Sequence, residues 1–180
     1  MIKIAIDGPS GAGKSSLAKS VAKTLGIVYV DTGALYRAVG LYMHRIGIEP
    51  TDAAAVAAKL GDVKVELKYE SGAQHVYLCG EDVSDEIRTP VVSKYASDVS
   101  AIAAVRDFLL DIQREIARTS SVVMDGRDIG TVIMPDADVK IFLTASSEAR
   151  ALRRYHELLG KGSSVSYDEI YRAMLLRDAN

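Results

Sequence analysis

Tryptophan is absent from this chain of 180 residues, and cysteine occurs once, as Cys79. A lone thiol closes no internal disulfide, which points weakly to a reducing compartment. With no cysteine cluster and only His44, His75 and His156, the chain lacks the usual ligand set for zinc. Long hydrophobic runs are missing too. None approaches the roughly 18 residues of a membrane helix. The opening MIKIAIDGPSG lacks the charged, apolar and small-residue regions of a signal peptide. The expectation is a cytoplasmic protein with no membrane association. Nor does one charge sign dominate. Lys and Arg total 22 against 24 Asp and Glu, a net charge of -2. That excludes a nucleic-acid binder relying on bulk positive charge.

What is present is ordinary for a globular domain, with 48% hydrophobic and 26% charged residues. The length suits one domain with an insertion. A chain of this size buries roughly 70% of the surface its unfolded form exposes, so no staple is needed.

Hydrophobic spacing outlines the elements. Ile2–Ile6 reads as a buried strand ended by Asp7-Gly8. Leu17, Val21 and Leu25 recur at helical spacing, and Gly26 stops that helix. Ile27–Val30 reads as a second strand. Asp31-Thr32-Gly33 opens a helix to about Arg45. Strand and helix alternating at short spacing predict an α/β fold with a parallel sheet flanked by helices. From about Asp62 to Val83 the pattern changes: Val63, Val65, Leu67, Tyr69, Val76 and Leu78 alternate with polar residues around a Ser71-Gly72 turn. This predicts a small antiparallel β insert. Helices follow from near Pro90 and over about Val105 to Ala117. Ser121–Met124, ending at Asp125, and Val139–Leu143 read as two further core strands. An arginine-rich helix (Arg150, Arg153, Arg154) runs from Ser146-Ser147-Glu148 to a hinge at Gly160-Lys161-Gly162. Ser166-Tyr167-Asp168-Glu169 fits a capping box for the last helix.

Gly8-Pro9-Ser10-Gly11-Ala12-Gly13-Lys14-Ser15 matches the P-loop pattern, with a strand before it and a helix after. Glycines let successive N–H groups turn toward one point, and the helix N-terminus adds partial positive charge. Lys14 would reach the β- and γ-phosphates of ATP, and the Ser15 hydroxyl would ligate Mg²⁺, with Ser16 next to it. No N-K-x-D motif follows, which argues against a Ras-like GTPase, and no long second domain serves a motor or transporter. Phosphoryl transfer to a small acceptor remains. Such a reaction needs fixed positive charge and positioning. Arg37, Arg106 and Arg127 stand where they could supply it. Taken alone, Arg37 and Arg106 read as exposed helix arginines. Arg127, directly after a buried strand, reads as a ligand contact. Asp7-Gly8, Asp31-Thr32 and Asp125-Gly126 all fall at strand ends, where such sheets bind ligands.

These residues carry a resemblance along the whole chain. IDGPSGAGKSSLAK, DTGALYRAV, GEDVSDEIRTPVVS, YASDVSAIAAVR and MDGRDIGTVIMPDADVKIFLTAS resemble the bacterial cytidylate kinases, nucleoside monophosphate kinases acting on CMP and dCMP with ATP. The P-loop block is generic; the others together are specific. The resemblance implies a P-loop kinase fold with a core at 1–60 and 100–145. It places an NMP-binding insert at about 61–99 and a helical lid at about 146–170. It implies that Thr32, Arg37 and Arg127 hold the CMP phosphate. Ser97, Arg106 and Asp128 would read cytosine, and Arg177 would touch the sugar side. Arg153 and Arg154 would meet ATP phosphates from the lid. Lys14, Arg127 and Asp125 form the expected catalytic set, Asp125 orienting either Mg²⁺ waters or Arg127. Cytosine offers one amine donor and two acceptors. Asp128 and Ser97 can accept from the amine, while Arg106 donates to the acceptors. UMP would leave a carboxylate unpaired and be rejected.

The sequence departs from the family in two places. Thr32 stands where many relatives carry Ser. The family pattern also continues past Leu176-Arg177-Asp178 with a further Asp and Arg, a last core strand and a closing helix. This chain ends at Ala179-Asn180, so the expectation is a core, insert and lid without that strand and helix. The protein is expected to be a monomer, the hairpin closing over the acceptor rather than joining two copies. Rival readings are a UMP, AMP or shikimate kinase of the same fold, and a nucleotide-binding module without catalysis. Tyr36, Leu41 and Tyr42 read as helix packing, and the histidines as surface residues.

Overall fold

The computed structural model describes residues 1–70, 73–160 and 162–179, with the side chains of residues 70, 177 and 179 outside the description. The expected Ser71-Gly72 turn and the centre of the Gly160–Gly162 hinge lie outside the described residues. In chain order the elements are β1 (Lys3–Asp7), α1 (Lys14–Leu25), β2 (Val28–Asp31), α2 (Thr32–Arg45) and α3 (Ala53–Lys59). Then come β3 (Val65–Glu70), β4 (Ala73–Leu78), β5 (Glu81–Asp82), α4 (Pro90–Val99) and α5 (Ala103–Thr119). Last come β6 (Val122–Gly126), a π-helical turn (Ile129–Ile133), β7 (Val139–Phe142), α6 (Ser147–Gly160) and α7 (Tyr167–Ala179).

Four strands form a parallel sheet in the order β2-β6-β1-β7. Its centre is apolar because β1 and β6 are covered on both faces: Ala5, Ile6 and Val122–Met124 have no accessible surface. Fully burying each large side chain stabilises the fold by roughly 1.5–3 kcal/mol. A second sheet, β3-β4-β5, is antiparallel, with Val65 opposite Leu78 and Leu67 opposite Val76. The alternation seen in the sequence is its burial pattern. Val65, Val76 and Leu78 turn inward onto a core shared with Leu35, Val39 and Met43 of α2 and Leu109 of α5.

Helix boundaries follow local chemistry. Asp31 caps α2, its carboxylate accepting from the Ala34 N–H at 3.2 Å. Thr89 caps α4 with Pro90 in the first turn. The expected capping box forms: the Ser166 N–H donates to Glu169 at 2.9 Å, and the Glu169 N–H to the Ser166 hydroxyl at 3.3 Å. Two elements escaped the sequence reading. Helix α3 begins at an Asp52 cap that accepts from the Ala55 N–H at 3.0 Å. The π-helical turn Ile129–Ile133 follows β6, in a stretch to which no element was assigned from the sequence.

Candidate active site

Three strands deliver aspartates to one rim. β1 and β2 end at Asp7 and Asp31, and β6 carries Asp125 before its last residue. Parallel register sets Asp125 level with Ile6 on one side and Asp31 on the other. The P-loop leaves this rim between β1 and α1. Gly8 turns it with φ 146°, and a Cβ there would lie 2.0 Å from the Leu143 carbonyl oxygen. No other residue fits that turn.

Lys14 folds back over the loop and donates from Nζ to the Pro9 carbonyl at 2.9 Å. Burial holds its pKa below the ordinary lysine value, Asp125 opposes that, and the Arg127 charge adds to the lowering. The Ser15 hydroxyl donates to Asp125 Oδ2 at 2.9 Å. Asp125 Oδ1 is buried without a hydrogen-bond partner. Burial raises the Asp125 carboxyl above its ordinary value and the Asp31 charge adds to this, against Tyr29, Ser15 and Lys14. A buried carboxylate oxygen without a partner beside a serine hydroxyl is a donor set that suits a hard cation such as Mg²⁺.

Beside the P-loop lies a cavity of about 600 Å³. Ser10 and Gly11 form one edge of it. Thr32, Gly33, Tyr36 and Arg37 line it from α2, Ser93, Ala96 and Ser97 from α4, and Arg106 from α5. Gly126, Arg127 and Asp128 line it from the end of β6, and Arg154, Glu157 and Met174 from α6 and α7. Thus Thr32, Arg37, Ser97, Arg106, Arg127 and Asp128, scattered over 97 positions from 32 to 128, meet at one cavity. Arg127 also lines a neighbouring cleft of about 290 Å³ with Gly8, Pro9 and Asp178. It stands at the wall between the two spaces.

The individual roles are less uniform than expected. Arg37 is half-buried and pairs with Asp31 at 2.5 Å. Arg106 donates from Nε to the Ser100 carbonyl at 2.6 Å, which leaves its remaining N–H groups for the cavity. Thr32 is 3% exposed, and its hydroxyl donates to the Asp125 carbonyl at 2.8 Å. That donor already ties α2 to β6. Arg153 donates to the Ala12 carbonyl of the P-loop at 3.4 Å. Arg154 pairs with Glu157 at 2.7 Å and lines the cavity. The side chain of Arg177 lies outside the described residues. Among the described residues, none of β3, β4 or β5 lines the cavity, and α4 supplies that wall. The hairpin instead supports the rim: Gln74 accepts from the Asp31 N–H at 2.9 Å.

Three side chains matter more than the sequence suggested. Tyr36 packs against the core as expected and also lines the cavity, and its phenol is raised above the ordinary value by burial first and by the Asp128 charge next. Arg150, at 3% exposure, pairs with Asp178 through both nitrogens. It also donates to the Ser10 carbonyl at 3.1 Å and the Ala145 carbonyl at 2.9 Å. Asp7 accepts two backbone N–H groups across the sheet. Only its position at a strand end, shared with Asp31 and Asp125, could have marked it. For Arg150, regular helical spacing gave no signal separating it from Arg153 and Arg154.

Comparison with known proteins gives these residues a context. The family model described as cytidylate kinase matches residues 4–180. A cytidylate kinase of Fervidobacterium nodosum is 51% identical over 178 residues, covering 99% of this chain and 79% of the relative. That of Caldicellulosiruptor saccharolyticus is 49% identical over 179 residues, with 99% and 79% covered. That of Geobacter sulfurreducens is 50% identical over 175 residues, with 97% and 75% covered. A solved shikimate kinase from Bacteroides thetaiotaomicron aligns with 98% of this chain and 77% of its own at a TM-score of 0.49 and 14% identity. A family match over residues 4–180, with half of all positions shared across nearly the whole chain, places this chain in the cytidylate kinase family.

Proposed function

We propose that the protein transfers the γ-phosphoryl group of ATP to CMP or dCMP, giving CDP or dCDP and ADP, in pyrimidine nucleotide metabolism. The observation that carries this reading is the cavity in which Ser97, Arg106 and Asp128 face Arg37 and Arg127 beside the P-loop. A pyrimidine with an amine donor and two acceptors matches the first three, and a monophosphate matches the two arginines. A donor triphosphate fits the P-loop N–H groups and Lys14.

Little covalent work is asked of the protein. The transferred group passes through a loose transition state, so holding the acceptor in line and neutralising charge supply most of the rate. Arg127, at the wall between the two spaces, suits the bridging position. Ser15 and Asp125 would hold Mg²⁺, which neutralises phosphate charge when bound. No side chain needs to act as a strong base. The parts divide as a core (1–60 and 100–145), an insert (about 61–99) whose α4 forms the acceptor wall, and a lid (about 146–170) that α7 extends. Packing of α6 on α7 over the cavity mouth would exclude water and limit ATP hydrolysis. The protein would act as a cytoplasmic monomer; no described helix is long and apolar enough to cross a membrane.

A coupled assay with ATP and each of CMP, dCMP, UMP and AMP tests the reading. CMP and dCMP should be turned over with kcat/KM at least two orders of magnitude above UMP, the scale expected when a buried polar group is left unpaired. Equal rates on UMP would overturn the cytosine assignment.

A further inference from the structure

Asp7 touches neither cavity, yet both of its carboxylate oxygens are engaged. Oδ1 accepts the Ile129 N–H and Oδ2 the Gly130 N–H, each at 2.8 Å. Those two amides open the π-helical turn that directly follows Arg127 and Asp128. From the other side, the Asp128 carbonyl accepts the Val132 N–H at 2.8 Å. The segment bearing the two acceptor-facing side chains is therefore held at its amides by Asp7 and at its carbonyl by its own turn. Asp7 is itself fixed: it ends β1, and its carbonyl accepts the Leu143 N–H from the end of β7 at 2.7 Å. The approach is close. A Cβ on Gly130 would lie 3.3 Å from Asp7 Oδ2 and from the Lys140 stem. The next residue, Gly8, begins the P-loop.

We infer that Asp7 is a positioning residue for the acceptor, its carboxylate setting Arg127 and Asp128 at a fixed height relative to the P-loop. The inference rests on the CMP reading above. Physically, a carboxylate gripping two amides is a charge-assisted two-point clamp, stronger and more directional than a single neutral bond. Because Asp7 is also the root of the P-loop, one residue keeps the donor and acceptor subsites in register. In-line transfer is sensitive to such register: a misplacement of about 1 Å can cost on the order of 100-fold in rate.

The test is steady-state kinetics of native protein, Asp7→Asn and Gly130→Ala with CMP, UMP and ATP. These are read beside amide hydrogen exchange at Ile129 and Gly130. Asp7→Asn places an amide N–H₂ against one backbone N–H. It should speed exchange at one or both amides and lower kcat/KM for CMP by roughly 10–100-fold. It should also shrink the CMP-over-UMP preference, while KM for ATP moves less than about threefold. Gly130→Ala presses on the same carboxylate without removing it and should give a smaller change of the same pattern; it carries the test if Asp7→Asn does not fold. A folded variant with unchanged CMP preference overturns the inference, as does an equal rise in KM for CMP and ATP. Native protein without CMP phosphorylation would instead overturn the reading beneath it, and the inference with it.

Discussion

Both the rim of the parallel sheet and the α6–α7 pair carry arginines, but they hold them differently. At the rim, Arg127 and Arg106 extend from buried strands and helices into the cavity, and Arg37 leans on Asp31 at its edge. In the α6–α7 pair, Arg150 is used up internally, with Ser10, Ala145, Ser147 and Asp178 all accepting from it. The pair's own apolar cluster is small, built on Ala151, Ile170 and Met174. Its polar ties to the P-loop run through Arg150 and through Arg153 on the Ala12 carbonyl. The rim arginines thus line a cavity, while the buried Arg150 serves the fold. Changes at the rim should alter catalysis more than stability, and changes at the buried lid latch the reverse.

Lys14→Ala should break catalysis most, lowering kcat by roughly 10²–10³-fold, the usual effect of deleting a charge-stabilising donor. Thermal stability should hardly fall, because the half-buried amine is already disfavoured in its charged form. A coupled assay and a melting curve separate the two. Asp125→Asn should cost activity on a similar scale yet stabilise the ligand-free protein at neutral pH. The sign follows from burial. A carboxyl whose native pKa is raised contributes stability below its ordinary value of 3.8 and loses it as pH rises through the native value. Melting temperature measured from pH 4 to 7 should therefore decline less in Asp125→Asn than in native protein.

Arg150→Met should reverse the order of effects. Removing one partner of a mostly buried pair costs roughly 1–3 kcal/mol, discounted because the Asp178 side chain is 26% exposed. Arg150 holds the Asp178 carboxyl below its ordinary value. A lowered carboxyl stabilises above its unfolded pKa and loses that stability as pH falls through its native one. The variant should therefore lose less stability on acidification. Chemical denaturation at pH 7 and pH 3 reads both effects. Smallest is Arg45→Ala, which frees Glu81 and Glu86 on the hairpin side. These exposed pairs contribute little to stability because solvent screens them, so the melting temperature should hardly move and KM for CMP should not change.

Much of this comparison was legible beforehand, for physical reasons. Buried strands must be apolar runs, and a sheet with polar residues at its strand ends must present them together, so Asp7, Asp31 and Asp125 could be grouped from sequence. The P-loop is readable because its glycines answer a backbone requirement. What stayed hidden depends on which neighbour a side chain finds. Thr32, expected on phosphate, lines the cavity with its hydroxyl donating to the Asp125 carbonyl, a partner no sequence pattern names. Of the expected insert at 61–99, the hairpin turns its apolar face to α2, and among the described residues α4 supplies the cavity wall. Helix α3 is a short alanine-rich segment whose one strong signal is its Asp52 cap. Arg150 shares a helix face with Arg153 and Arg154 and differs in lying one turn earlier, where Ser10 and Asp178 enclose it.

The central claim is that the P-loop holds the donor while the residues after β6 read the acceptor. Titration calorimetry of CMP and of ATP, each into native protein and Asp128→Ala, tests it directly. The account predicts that CMP affinity falls by roughly 10–100-fold, the cost of deleting a charged hydrogen-bond acceptor, with ATP affinity within about twofold of native. Equal losses for both nucleotides, or loss of ATP alone, would contradict it.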